Sequence, residues 1–374
     1  MSVFWPPGRV IQGPSTLAQL HEIATEIGRI SAVVVDRNLV TNPILAKALR
    51  AFDPEKICHY SGAEPLVSSA LAVSEKCAGS SVIVAIGGGS TIDVAKAAAI
   101  LVSGGGPLEQ CEGAERVEGD PVPIVAVPST AGTGSEVTGS CVLETRDGSR
   151  KMSVRSHKLV PRVAILDPDL LATTPRPIIA ASGIDAFAHA VEAFCSTRAS
   201  EVTDALALGA LRLISANLVP YFSSPSNTSA AASMGWGACM AGMAFNSARV
   251  GLAHAIASAI GPLVHLPHGV CVSLGLPLAI RLNAPAVGDR RFGLLLDAIG
   301  APGEDSLSPA NRAENYVRRL MAQLDLPATA SAAGRRFEVN EQLLNSILRS
   351  GRLETNPAAI TEVTLTNVLA EVSG

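Results

Sequence analysis

At 374 residues the chain is longer than one hydrophobic core usually supports, and its 48% hydrophobic residues are enough for two domains. A formal net charge of −4, with Lys and Arg scattered rather than in runs, excludes the basic stripe that a phosphate backbone requires, so no nucleic-acid partner is expected. Mean hydropathy is high at +0.33, but the apolar stretches are Ala-rich and are broken by Gly, Pro or charge before they reach the length of a membrane span, so none is expected. The opening MSVFWPPGRVIQGP lacks the basic start, apolar stretch and cleavage site of a signal peptide, and the cysteines at 58, 77, 111, 141, 195, 239 and 271 show no CxxC pairing. A cytoplasmic protein with reduced packing cysteines is the expectation.

In chain order, amphipathic helical stretches such as TLAQLHEIATEIG alternate with short apolar runs: SAVVVD (31–36), KICHYS (56–61), SVIVAIG (81–87), PIVAVPS (123–129) and VAILDP (163–168). That rhythm predicts a parallel sheet flanked by helices. After Pro175 the β-branched clusters vanish. Ala, Leu and Met then recur at three- and four-residue spacing through IDAFAHAVEAF, VTDALALGALRLISANL and ENYVRRLMAQLDL, which predicts an all-helical second half. The boundary is expected within DPDLLATTPRP, giving domains 1–173 and 174–374.

Gly87, Gly88, Gly89 and Ser90 lie between the run SVIVAI and the helical stretch TIDVAKAAAI. Glycines at a strand-to-helix turn let the backbone approach a pyrophosphate, and the first-turn amides and helix dipole favour negative charge. The pattern is not GxGxxG, so a purely structural turn is the plainer alternative. A second polar cluster, Ser129 to Ser135, ends another expected strand and offers hydroxyls to ribose, phosphate or a nicotinamide amide, or else forms an ordinary turn. Asp36 closes SAVVVD, where it can accept hydrogen bonds from an adenosine ribose and repel a 2′-phosphate; this favours NAD over NADP, with Arg37 beside it working the other way.

In GIDAFAHAVEAF, Asp185 and His189 are four apart on an expected helix and share a face. The plainer alternative is a Ser182–Asp185 capping box with an ordinary core histidine. A second cluster, His254 in VGLAHAIASAIG and His268 in LPHGV, favours a metal site. One carboxylate and three imidazoles suit a tetrahedral divalent ion with a position left for substrate, either Fe(II) or Zn(II).

The GGGS turn with Asp93 and Lys96 after it, PSTAGTGSE, Lys151, the DP of VAILDP, GIDAFAHAVEAF, GLAHA, LPHG and Asn356-Pro357 follow one another along the chain. Together they resemble the iron-containing, or group III, alcohol dehydrogenase family over essentially the whole length. The resemblance implies an α/β N-terminal dinucleotide-binding domain with a Rossmann-like parallel sheet and an all-α C-terminal domain. It also implies a dehydroquinate synthase-like architecture with NAD and the metal in a cleft between the domains. Asp185, His189, His254 and His268 are the implied ligands of Fe(II) or Zn(II). The implied cofactor contacts are Asp36, Gly88, Gly89, Ser90, Asp93, Ser129, Thr130, Thr133 and Lys151. The implied activity is hydride transfer between NAD(H) and a small aldehyde or primary alcohol, with the metal as Lewis acid, in a homo-oligomer such as a dimer.

The chain departs from the family pattern at three positions. Ser258 stands four residues after His254, where many members carry a histidine that helps with protons, and His265 is a substitute candidate. Arg249 occupies the approach to His254, where relatives mostly have small or aliphatic residues, and Arg352 precedes Asn356-Pro357. A buried arginine costs desolvation unless paired, so each either meets an Asp or Glu of a neighbouring helix or faces an anionic group on the substrate, as in phosphonoacetaldehyde or a semialdehyde. His254, His268, Ser258, Arg249 and Arg352 are thus the expected catalytic residues. Four alternatives stay open: a general short-chain alcohol or diol dehydrogenase, a dehydroquinate synthase-like cyclase, a maleylacetate reductase, and an NAD- or metal-binding regulatory protein. The cyclase lacks its extra basic phosphate-binding residues here, and maleylacetate reductases generally have Asn where Asp185 stands.

Overall fold

The computed structural model describes residues 4–61, 65–146, 150–301 and 307–374. The chain divides into two compact units, one of residues 5–174 with 226–235, the other of 1–4, 175–225 and 236–374. Among the described residues the first unit contains strands β1 (Arg9–Gln12), β2 (Ser31–Asp36), β3 (Ile57–Tyr60), β4 (Val82–Gly87), β5 (Gly113–Ala114), β6 (Ile124–Pro128), β7 (Ser140–Glu144), β8 (Lys151–Arg155) and β9 (Val163–Leu166). Its helices are α1 (Leu20–Ile27), α2 (Pro43–Leu49), α3 (Val67–Lys76), α4 (Gly89–Val102) and α5 (Pro168–Leu171).

Six strands form an all-parallel sheet in the order β1-β9-β6-β4-β2-β3. Every residue of β4 is buried, because helices cover both faces and a central parallel strand has no polar side. Ile83 and Ala85 pack with Val67, Ala70, Ile92 and Ala95 of α3 and α4. The alternate residues Val82, Val84 and Ile86 pack with Leu20, Ile23 and Leu45 of α1 and α2. The five runs read as strands from the sequence all lie in this sheet. β1 escaped notice because four residues between Gly8 and Gly13 carry too little pattern. β5, β7 and β8, a separate small sheet, escaped because β7 and β8 alternate buried and half-buried positions instead of forming apolar runs.

β2 is flanked by β3 and β4, and the crossovers through α2 and α3 lie on opposite faces. The carboxyl ends of β2 and β4 are therefore the switch point where open α/β sheets bind ligands. Asp36 ends one strand and the glycine turn ends the other. A Cβ on Gly87 would lie 2.5 Å from Thr91 Oγ1 and 3.0 Å from Asp36 Cβ, and one on Gly89 would lie 2.6 Å from the Thr133 side chain. Glycine is what allows these loops to meet.

The second unit is helical among its described residues: α6 (Arg176–Cys195), α7 (Glu201–Ser223), α8 (Thr228–Ala248), α9 (Leu252–Val264), α10 (His268–Val287), α11 (Asp289–Ile299), α12 (Pro309–Gln323), α13 (Glu341–Leu348) and α14 (Glu362–Ser373). The first residues of α8 are grouped with the α/β unit. α6 packs on α7 and α10, and α10 on α9 and α12. α6, α7 and α10 are long and apolar enough to cross a membrane, contrary to the expectation from short apolar runs, because helix continues through Gly183, Pro220 and Pro277. In α6 and α10 the apolar windows are 89% and 67% buried within the protein, so there the hydropathy is that of a helical core. None of the seven cysteines is in a disulfide.

Gly89→Ala should lower stability by about 1–3 kcal/mol through overpacking against Thr133, and adding Thr133→Ala should restore part of it. Urea denaturation reads both. A Gly89→Ala protein as stable as the parent would contradict this account of the turn.

Candidate metal centre and cofactor site

α6 begins at Arg176, after Pro175, so Ser182 lies inside the helix and the capping-box alternative for Ser182 and Asp185 does not hold. Asp185, His189 and Glu192 instead form one stripe at i, i+4 and i+7, and they are 3%, 6% and 5% exposed. His254 sits in the first turn of α9, and His268 is the first residue of α10. Gly269 brings α10 onto α6: a Cβ there would lie 1.8 Å from Ala181 O and 3.2 Å from Asp185 Cβ.

Ligand atoms of Asp185, His189 and His254 lie within 4.8 Å of one another. His254 Nε2 is 3.3 Å from Asp185 Oδ1, and His189 Nδ1 is 3.9 Å from Asp185 Oδ2. The His189 ring stacks between Phe245 and His254 at centroid distances of 4.2 and 4.4 Å. His268 is half-buried with its ring 5.6 Å from that of His254, beside this group of three.

Burial by itself would raise the Asp185 carboxyl, but His189, His254 and His268 outweigh it and hold the group well below the usual carboxylate range. Burial would lower His254; Glu192 and Asp185 overcome it and push the imidazole up to about 9. Asp185 Oδ1 and His254 Nε2 are buried and make no hydrogen bond, although they face each other. Two buried polar atoms left in that arrangement suit a shared cation, and the carboxylate-imidazole donor set fits a divalent iron or zinc ion.

Sequence reasoning missed Glu192. Its Oε2 is 2.6 Å from His254 Nδ1, and burial, which would raise it, is outweighed by His254 and two backbone amides, which lower it. The available signal was a second acid on the face of Asp185 and His189 in an otherwise apolar helix.

Arg249 follows the last residue of α8 with φ 73°, a left-handed conformation, in the turn where α8 and α9 bend by 100°. It is half-buried, with Nε fully enclosed. Arg352 is half-buried at the start of a 3-10 turn, Leu353–Thr355. That segment is bonded to the same bend, since Thr355 Oγ1 donates to Val250 O at 2.9 Å and Asn356 Oδ1 accepts from Leu252 N at 3.2 Å. Ser258 is half-buried one turn after His254, whereas His265 is exposed at the left-handed end of α9.

In the α/β unit, no side chain caps α4, whose N-terminus follows Gly88. Gly88, Gly89, Ser90, Thr130 and Thr133 are half-buried there and Ser129 is buried, its N–H donating to Gly87 O at 2.9 Å. This is a cradle that a Cβ would fill, suited to a pyrophosphate. Asp36 Oδ1 accepts from Asn38 N at 2.9 Å. Lys151 is half-buried at the first position of β8, opposite Glu144. The Asp93 oxygens accept from Ser135 Oγ at 2.6 Å and Val142 N at 3.0 Å. Lys96 Nζ, fully buried, donates to Ser135 Oγ, Thr138 O and Ser140 O. Asp93 and Lys96 therefore anchor the second polar loop.

Residues 7–168 match the family described as iron-containing alcohol dehydrogenase, and residues 179–373 match the Fe-containing alcohol dehydrogenase family, C-terminal. The chain is 34% identical over 366 residues to a 1,3-propanediol dehydrogenase of Klebsiella pneumoniae, covering 92% of each. It is 33% identical over 335 residues to a sulfoacetaldehyde reductase of Bilophila wadsworthia, covering 85% of this chain and 86% of that protein. The solved alcohol dehydrogenase from Oenococcus oeni superposes with a TM-score of 0.92 at 30% identity over all of both chains. The chain belongs to the iron-containing alcohol dehydrogenase family and is an oxidoreductase.

Proposed function

We propose that this enzyme reduces a small aldehyde carrying an anionic group, such as a phosphonate, sulfonate or carboxylate, to the primary alcohol. As a member of its family it is a metal-dependent enzyme that uses NAD. When bound, the metal supplies Lewis-acid polarisation of the substrate oxygen and the nicotinamide supplies hydride. Asp185, His189 and His254 hold the metal, with His268 beside them. Asp36 receives the adenosine ribose, and the Gly88 to Ser90 turn receives the pyrophosphate. Ser258, in place of the family histidine, offers a hydroxyl that can pass a proton on but does not store one at neutral pH.

The observation that carries the anionic substrate is the position of the two unusual arginines. Arg249 immediately precedes, and the Arg352 segment is hydrogen-bonded to, the Val250–Leu252 bend that leads into His254. Similarity does not choose between neutral and charged substrates: the propanediol and sulfoacetaldehyde enzymes are almost equally identical to this chain. A charge-assisted contact contributes about 1.5–3 kcal/mol, roughly tenfold or more in preference. Phosphonoacetaldehyde or succinic semialdehyde should therefore exceed propanal and lactaldehyde in kcat/KM by about tenfold, and Arg249→Leu and Arg352→Leu should erase the difference. Equal turnover of the neutral aldehydes would make this a general short-chain alcohol dehydrogenase with structural arginines.

The metal reading has its own test. With His254 pushed up to about 9, a divalent ion must displace a proton at Nε2, so affinity should rise about tenfold per pH unit below that value. Replacing Asp185, His189 or His254 by Ala should lower metal content and activity together, and His268→Ala tells three protein ligands from four. Metal content unaffected by Asp185→Ala would reject the site.

The side chain of Asp36 should also set cofactor choice. The parent enzyme should prefer NADH to NADPH, and Asp36→Gly should narrow the ratio of kcat/KM. Comparable values in the parent would mean that Arg37 governs this position.

A further inference from the structure

α9 starts at a glycine, Gly251, and has no side-chain cap of its own. Three consecutive amides at its start are taken up from elsewhere: Gly251 N donates to Glu192 Oε2 at 2.9 Å, Leu252 N to Asn356 Oδ1 at 3.2 Å, and Ala253 N to Glu192 Oε1 at 2.7 Å. A Cβ on Gly251 would lie 2.8 Å from Asn356 Oδ1 and 3.3 Å from Glu192 Oε1, so glycine is what admits both side chains. The same Glu192 Oε2 stands 2.6 Å from His254 Nδ1. An ionised carboxylate only accepts hydrogen bonds, so the proton in that contact belongs to Nδ1. Nε2, across the ring, then faces Asp185 Oδ1 at 3.3 Å.

We propose that Glu192 is a positioning residue for the metal centre: by capping α9 and accepting the Nδ1 proton of His254 with one carboxylate, it directs the Nε2 lone pair at the ion shared with Asp185 and His189. This rests on the metal reading above. Because the two oxygens each receive a backbone N–H, an amide in their place must turn its NH2 toward a donor. It faces either Ala253 N, or Gly251 N together with His254 Nδ1, and the second orientation drives His254 to the tautomer that protonates Nε2. Asn356 caps the neighbouring amide without touching His254, so it separates capping from orientation.

The test uses full-length protein freed of metal and titrated with Zn(II) alone against a chromophoric chelator. Glu192→Gln should weaken zinc binding about 10–100-fold, while Asn356→Ala should lower the melting temperature and leave zinc affinity unchanged. Parent affinity in Glu192→Gln, or an equal loss in Asn356→Ala, would reduce Glu192 to a helix cap and overturn the inference. Retention of zinc by Asp185→Ala would instead overturn the metal reading, and this inference with it. A measurement on the parent alone guards against a variant that does not fold: 15N spectra of the histidine-labelled, zinc-loaded protein should show zinc on Nε2 of His254 and a proton on Nδ1. Zinc on Nδ1 contradicts the proposal.

Discussion

The ionised carboxylate of Asp185 is buried in an apolar helical core, and the second unit is organised around what that requires. Removing a carboxylate from water costs several kcal/mol, which is recovered only if opposite charge and hydrogen bonds meet it. Three imidazoles come from three helices to do so. Bringing them there requires close helix contacts, which is why Gly269 of α10 lies against the Ala181 carbonyl of α6, where a Cβ would be 1.8 Å away. Stability and metal chemistry thus draw on the same contacts.

Charged groups removed from solvent are met in two ways in this protein. In the α/β unit, Lys96 and Asp93 are fully engaged with Ser135, the Thr138 and Ser140 carbonyls and the Val142 amide. A completed network of this kind rigidifies the loop that carries Ser129, Thr130 and Thr133. In the helical unit, Asp185 Oδ1 and His254 Nε2 remain without hydrogen bonds. Asp185 Oδ1 and His254 Nε2 face each other at 3.3 Å, as two donors to one shared cation would.

The bend between α8 and α9 joins Arg249 to the helix that carries His254. Arg249 adopts a left-handed backbone there at φ 73°, a conformation that costs a non-glycine residue about 1–2 kcal/mol. Contacts from Thr355 and Asn356 hold the same bend from the other side.

Much of this protein was legible in the sequence. Continuous β-branched runs such as VIVAIG favour central parallel strands, Ala-rich three- and four-residue spacing favours packed helix, and a glycine turn between the two is where the backbone can approach an anion; all are local consequences of backbone geometry. Asp185 and His189 shared a face because a helix fixes that spacing. The contacts of Glu192 with His254 and of Asp93 with Ser135 were not legible, since they join residues 62 and 42 apart in the chain. The helix start at Arg176 was hidden too, because tertiary burial carried helix through Ser182 and Gly183 where local signals suggested a cap. Sequence alone determined most of the elements and the family, and it named Asp185, His189 and His254, whose ligand atoms the fold brings within 4.8 Å of one another. Tertiary structure decided which partners each buried charge meets, because hydrogen-bond partnership across helices is set by packing rather than by chain order.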